Sequence, residues 1–251
     1  MSLFNNLTTD GLEEAQDRLG GFSRLESGAY TGKIKAAYAG VAANSKAQSI
    51  TVILAHGKDG KEEYRETLWI TNKNGENFFV NKGGDGKKSP LPGFTIINDL
   101  CLVTTNKPLA EQPTEEKVMN IYDPDAKKEL PKAVQMLVDL LDTEVTFGII
   151  KQTVNKQEKD SAGNYQDTAE TRDENFTDKI FHYPSNLTVN EALNKITTAT
   201  FYGAWVEKNK GVTRDRTNKD LAKNGGKAGR PGMPPQAATA GGKTSSLFGA
   251  R

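Results

Sequence analysis

The chain has 251 residues, 35% of them apolar and 26% charged, with 33 Lys/Arg against 32 Asp/Glu and a net charge of +1. One cysteine, Cys101, excludes an intrachain disulfide, and two histidines with that cysteine cannot build a zinc ribbon. No apolar run approaches the roughly 18 residues of a membrane span. The opening MSLFNNLTTDGLEEAQ lacks the basic and apolar regions of a signal peptide, so neither a membrane nor a secretory route is expected.

Residues 1–26 read as an arm. Asp10 and Glu13 resemble a capping box, Leu12, Ala15 and Leu19 share one helical face, and Gly20-Gly21 ends the turn. A helix this short needs something to pack on. Residues 28–71 read as three antiparallel strands. Tyr30, Ile34, Ala36 and Tyr38 alternate against Thr31, Lys33 and Lys35; Ile50, Val52 and Leu54 share a face; Tyr64, Leu68 and Ile70 oppose Arg65, Thr67, Trp69 and Lys73. The segment 72–93 is a loop holding Phe78-Phe79 and the lysine cluster Lys82, Lys87 and Lys88. FTIINDLCLV has helical spacing at Phe94, Ile97 and Leu100 or Cys101.

EKVMNIYDPDAKKEL predicts a hairpin turning at Asp123-Pro-Asp125. PKAVQMLVDLLD predicts a helix, with Pro131 near its start and a Val134, Leu137, Leu141 stripe. EVTFGIIKQTVNKQ is a strand with a basic, amide-rich end (Lys151, Gln152, Asn155, Lys156). The polar stretch EKDSAGNYQDTAETRDEN reads as an excursion, DKIFHYP as a short strand, and residues 189–207 as a last helix capped by Thr188. Three strands, insertions, a helix and two strands follow the order of an OB-fold, a five-stranded barrel with peripheral helices, over residues 27–205.

From Val206 onward ten Lys/Arg stand against three Asp/Glu, a charge of +7, which leaves the first 205 residues at −6. Residues 206–251 read as a flexible basic tail with an apolar tip, Leu247-Phe248. A basic tail on an acidic body fits a polyanionic partner together with a protein that docks the tip.

Single strands are held by cations on phosphates and aromatics stacked on bases. Lys33, Lys35, Arg65, Trp69, Lys73, Phe78, Phe79, Lys87, Lys88, Lys151 and Lys156 form the candidate set. The bland alternative is a set of ordinary solvated lysines around a tryptophan that caps the core. Other chemistry fares worse. GGDGKKS and GGKTSS miss phosphate-loop spacing, Lys127 stands where an EF-hand needs an oxygen, and Cys101 sits among Leu100, Leu102 and Val103 as a buried thiol. Neither a catalytic constellation nor a cofactor or metal site is expected.

YRETLWITNKNGENFF, KSPLPGFTIINDLCLVTT, IIKQTVNKQ and the terminal SLFG resemble bacteriophage single-stranded-DNA-binding proteins. The resemblance implies an OB-fold, sequence-tolerant binding without catalysis, and a role in replication, recombination and repair in the cytoplasm of an infected bacterium. It also implies a tail that contacts replication or recombination proteins, and it leaves homo-oligomerisation open. Many such proteins end in an acidic tail that competes with DNA. This tail is basic, so an aid to DNA binding is expected instead. A regulatory protein that docks host polymerase through the same tail, without binding DNA, is the alternative from another class.

Overall fold

The computed structural model describes residues 24–80, 86–123, 126–161 and 163–224. The expected N-terminal helix, Lys82 and the tip at Leu247-Phe248 lie outside them. The architecture is mainly β. Strands β1 (Gly28–Val41), β2 (Gln48–His56) and β3 (Glu62–Trp69) form the expected antiparallel meander. Every second residue faces inward, so Ile34, Ile50, Val52, Leu54 and Tyr64 enter one buried core. After a small hairpin, β4 (Phe78–Val80) and β5 (Lys88–Pro90), helix α1 (Pro92–Thr105) supplies Ile96, Ile97, Leu100 and Cys101 to that core. Pro92 opens α1 where a missing N–H costs nothing, and Asn106, left-handed at φ 58°, ends it by donating its N–H to the Leu102 carbonyl.

The helix expected over residues 131–142 is a strand instead. Strand β6 (Thr114–Asp123) and strand β7 (Lys128–Leu137), ten residues each, pair antiparallel as the expected hairpin, whose turn residues Pro124 and Asp125 lie outside the described residues. Val134 and Met136 share one face at period two and cover Ala36, Tyr38 and Ile53 on the outer side of β1 and β2. The helical spacing of Val134, Leu137 and Leu141 is a coincidence of this strand running into a one-turn 3-10 segment at Val138–Leu140. Pro131 sits opposite Asn120 in the ladder.

Strands β8 (Glu144–Lys159) and β9 (Tyr165–His182) form a long antiparallel arm. The polar stretch 158–175 is therefore mostly strand, and the short strand expected at 178–184 is its C-terminal end. The first half of β8 pairs with β1. The ladder runs β3, β2, β1, β8, β9 and does not close, because β3 pairs only with β2 and β9 only with β8 among the described residues. At that seam the Glu66 carboxylate accepts the Thr177 N–H at 3.0 Å and the Tyr64 hydroxyl at 2.9 Å. A side chain thus takes the place of a backbone rung, and the closed five-stranded barrel suggested by the element order is not established by strand pairing.

The last expected helix is two short ones. Helix α2 (Val189–Leu193) is capped by Thr188 as predicted, in a reciprocal box with Glu191. Helix α3 (Phe201–Asn209) lays Trp205 on Ile150 and Phe181. Gly148 makes room for it, since a Cβ there would meet the indole at 2.9 Å.

The body does not stop at residue 206. Strand β10 (Thr213–Asp215) adds in parallel to β8, and helix α4 (Lys219–Asn224) buries Leu221 to 1% exposure. Ser27 locks the junction: its hydroxyl donates to the Val212 carbonyl and accepts the Lys151 N–H. Residues 206–224 therefore belong to the body and not to a tail. No described helix is long and apolar enough to cross a membrane.

Candidate nucleic-acid interface

Alternation along β3 sends Tyr64 and Leu68 inward and leaves Arg65, Thr67 and Trp69 on the outer face, as expected. Trp69 is 51% exposed at the end of the strand, opposite the small Ser49 of β2. Its backbone abuts the start of α1: a Cβ on Gly93 would stand 2.3 Å from the Trp69 carbonyl oxygen, so only glycine allows this approach. The turn that follows is organised by Asn72. Its Oδ1 accepts the N–H groups of Asn74 and Glu76, and its Nδ2 donates to the Glu76 carboxylate and, at 3.4 Å, to the Phe78 carbonyl. That network seats β4 beside the end of β3.

The β1–β2 turn closes in from the other side. The Lys46 N–H donates to the Lys73 carbonyl at 3.1 Å. On the small hairpin Phe79 is 47% exposed, and the Lys88 ammonium lies 4.2 Å from the centre of the Phe78 ring. The Asn72 turn thus joins the end of β3, with Trp69 and Lys73, to the hairpin that bears the Phe78–Lys88 pair and exposed Phe79; Phe78 and Phe79 are consecutive in β4 and face opposite ways, and Lys87 continues the exposed stretch that leads into β5. Lys46 joins them although its sequence context, a polar turn, gives no signal. Asn72 and Gly93 were also missed. The run Thr71-Asn-Lys-Asn-Gly75 was the available clue to a tight turn.

Lys33, Lys35 and Arg65 lie farther along the same outer face. Lys33 stands opposite Ala55, which in turn stands opposite Glu63. Lys35 is ion-paired with Glu63, while Lys33, Lys46, Arg65 and Lys73 make no ion pair among the described residues. Arg65 also borders a hollow of about 750 Å³ between β3 and β9. Arg24, Lys61 and Arg172 line it together with Glu62, Glu63 and Glu174, and Arg172 bonds Glu174 at 3.3 Å. His56 reaches the same hollow from a buried position. Burial pushes its pKa down against the opposing pull of Glu62, and the imidazole stays neutral.

Lys151 and Lys156 belong elsewhere. Lys151 bonds Glu26 at 2.8 Å and lies 3.8 Å from Asp173; the Glu26 hydrogen bond is the main reason its pKa is raised. Lys156 bonds Glu170 across the β8–β9 arm at 2.8 Å. Both ammonium groups are neutralised within the chain, and they sit apart from the Trp69 patch.

Burial of Cys101 in the core pushes its thiol up to about 12, which leaves it protonated and inert, as the flanking apolar residues predict. Glu66 is likewise pushed up by burial at the seam, against the hydrogen bonds from Thr177 and Tyr64. Among the described residues no three His, Cys, Asp or Glu side chains converge as metal ligands. The end of β3 and the small hairpin together carry exposed aromatic rings and lysines. No family model, curated protein or solved structure matches the chain.

Proposed function

We propose that this chain binds single-stranded DNA, without catalysis and with little regard to sequence, along the outer face of β3. The observation that carries the reading is the half-exposed Trp69 at the end of β3, followed by a turn that holds the Lys46–Lys73 backbone contact and bonds the hairpin bearing exposed Phe79 and the Phe78–Lys88 pair. Every base has a π-face, so a platform of aromatics flanked by cations accepts any sequence. Arg65 extends the track along β3, and Lys33 lies two strands away on β1, at the level of Glu63. The succession of a three-stranded meander, α1, β8 and β9 supports an OB-type body whose last seam is closed by Glu66.

The biological setting follows from the resemblance: a phage protein that protects single strands during replication, recombination and repair. Residues 225–251 carry four basic and no acidic side chains and end near Leu247-Phe248. Their charge adds affinity for DNA, and the apolar tip recruits replication or recombination proteins.

The test is a fluorescence titration with oligo-dT at several salt concentrations. Binding quenches tryptophan emission, and the quench reverses as salt rises, with the logarithm of the affinity falling linearly against the logarithm of salt. Unchanged emission at low salt, with no shift of the oligonucleotide in a gel, would refute the reading.

A further inference from the structure

Among the described residues strand β6 has β7 as its only ladder neighbour, and its other side is, among those residues, an open edge ten residues long. Such an edge presents unpaired N–H and C=O groups and is normally blunted by bulges, prolines or charge. Here the β6–β7 register runs without a bulge from Thr114 to Asp123. Val118 is 71% exposed and Tyr122 is 54% exposed on one face of the strand, while Met119 and Ile121 are half-buried on the other. Val118 lies opposite the exposed Ala133 of β7, so the apolar face continues across the hairpin.

The order of residues along this edge names its occupant. Residues 117–123 read Lys-Val-Met-Asn-Ile-Tyr-Asp. A two-fold axis through Asn120, perpendicular to the sheet, sets a second copy antiparallel with matching faces. Asn120 then faces Asn120 of the second copy. On either side Met119 meets Ile121, Val118 meets Tyr122, and Lys117 meets Asp123, each pair occurring twice. Neighbouring registers lose this match: centring on Lys117 or Glu116 opposes like charges, centring on Met119 opposes Glu115 and Asp123, and centring on Val118 pairs every charge with an uncharged residue. Lys117 and Asp123 already contact Glu115 and Lys132 in their own chain, at 3.6 and 3.0 Å, so the pairs between copies widen these contacts into networks.

We infer that β6 is a self-complementary edge and that two copies of this chain join there, antiparallel about Asn120, into one continuous sheet. The inference is independent of the DNA-binding reading and leaves the outer face of β3 uncovered by the pairing itself.

Cysteine cross-linking tests it. Directly opposed residues of an antiparallel pair have Cα atoms about 4.5–5.5 Å apart, within the span of a disulfide. Asn120→Cys should therefore run at twice the monomer mass on a non-reducing gel after mild oxidation. Lys117→Cys should not, because its counterpart lies about 20 Å away along the strand. Sedimentation supplies the second arm. The unmodified chain should shift from monomer to dimer with concentration; Lys117→Asp and Asp123→Lys should each remain monomeric, and an equimolar mixture of the two should restore the dimer. Should Asp123→Lys disturb the turn, Val118→Lys on the exposed face must still abolish the dimer. Equal cross-linking at both cysteines, a monomer at every concentration, or a dimer that survives all three charge variants would overturn the inference.

Discussion

Replacing Trp69 by alanine separates the binding role of this side chain from a structural one, because the chain carries its own control. The only other tryptophan, Trp205, is 5% exposed and donates its indole N–H to Asp178 at 2.7 Å, so it reports on the fold from inside the α3 cluster. Trp69 is half exposed, and about 100 Å² of it is buried, so its loss costs the fold roughly 2–3 kcal/mol by area. Loss of one stacked base costs about 1–3 kcal/mol of binding, which weakens the dissociation constant roughly 5- to 150-fold. The assay is the same oligo-dT titration, read by fluorescence and by an independent method such as anisotropy of a labelled oligonucleotide. Trp69→Ala should bind more weakly and lose the quench, while Trp205 keeps its buried emission. Trp69→Phe retains an aromatic platform and should lose less. An alanine variant that keeps the full quench, or binds as tightly with its fold intact, would remove the site from β3.

Cutting the chain after Asn224 removes four cations, and the slope of log affinity against log salt should flatten by up to about 3, at about 0.7 per phosphate on a single strand; an unchanged slope would show that these residues do not touch DNA. A cut at Val206 also removes β10 and the buried Leu221, and it should unfold part of the body. Alanine at Arg65 and Lys73 together should weaken binding and lower the slope by roughly 1–2, whereas alanine at Lys151 and Lys156 should leave both nearly unchanged; the reverse ranking would place the track on β8. Glu191 gives a pH test. Burial alone would raise its carboxyl, but the N–H groups of Thr188, Phe201 and Thr200 and the Thr200 hydroxyl hold it down to about 2 from an ordinary 4.5. Its contribution is therefore present above pH 4.5 and lost as the pH falls toward 2. Melting curves of the wild type and Glu191→Gln should converge over that window, and parallel curves would contradict the assignment.

The meander, α1, the reversal from β6 to β7 and the Thr188 cap were legible because each depends on local patterning: alternation, helical spacing, or a cap and its acidic partner. The strand β7 was not. Its apolar residues occupy both faces where it meets β1, and the spacing that results imitates a helix. The outer β8–β9 arm was invisible for the opposite reason. Its rungs are polar pairs, Gln152 with Glu174, Thr153 with Asp173 and Gln157 with Asp167, so no apolar alternation marks the strands. Residues 206–224 looked like tail because three residues of parallel strand and one buried leucine leave no trace in a basic, polar composition.

Charge shows the same limit at the level of the site. Lys35, Lys151 and Lys156 looked equivalent to Lys33, Arg65 and Lys73 in the sequence, since each is a cation on a strand or turn. The register distinguishes them. Lys35 meets Glu63 two strands away, Lys156 meets Glu170 across a hairpin, and Lys151 meets Glu26 from a segment more than a hundred positions earlier. Counting cations therefore overstates the positive surface, and the −6 of the first 205 residues hides where the potential is concentrated. Lys35, Lys151 and Lys156 fold against acids and tie strands together, whereas Lys33, Arg65 and Lys73 make no ion pair among the described residues, and the proposed DNA track rests on them.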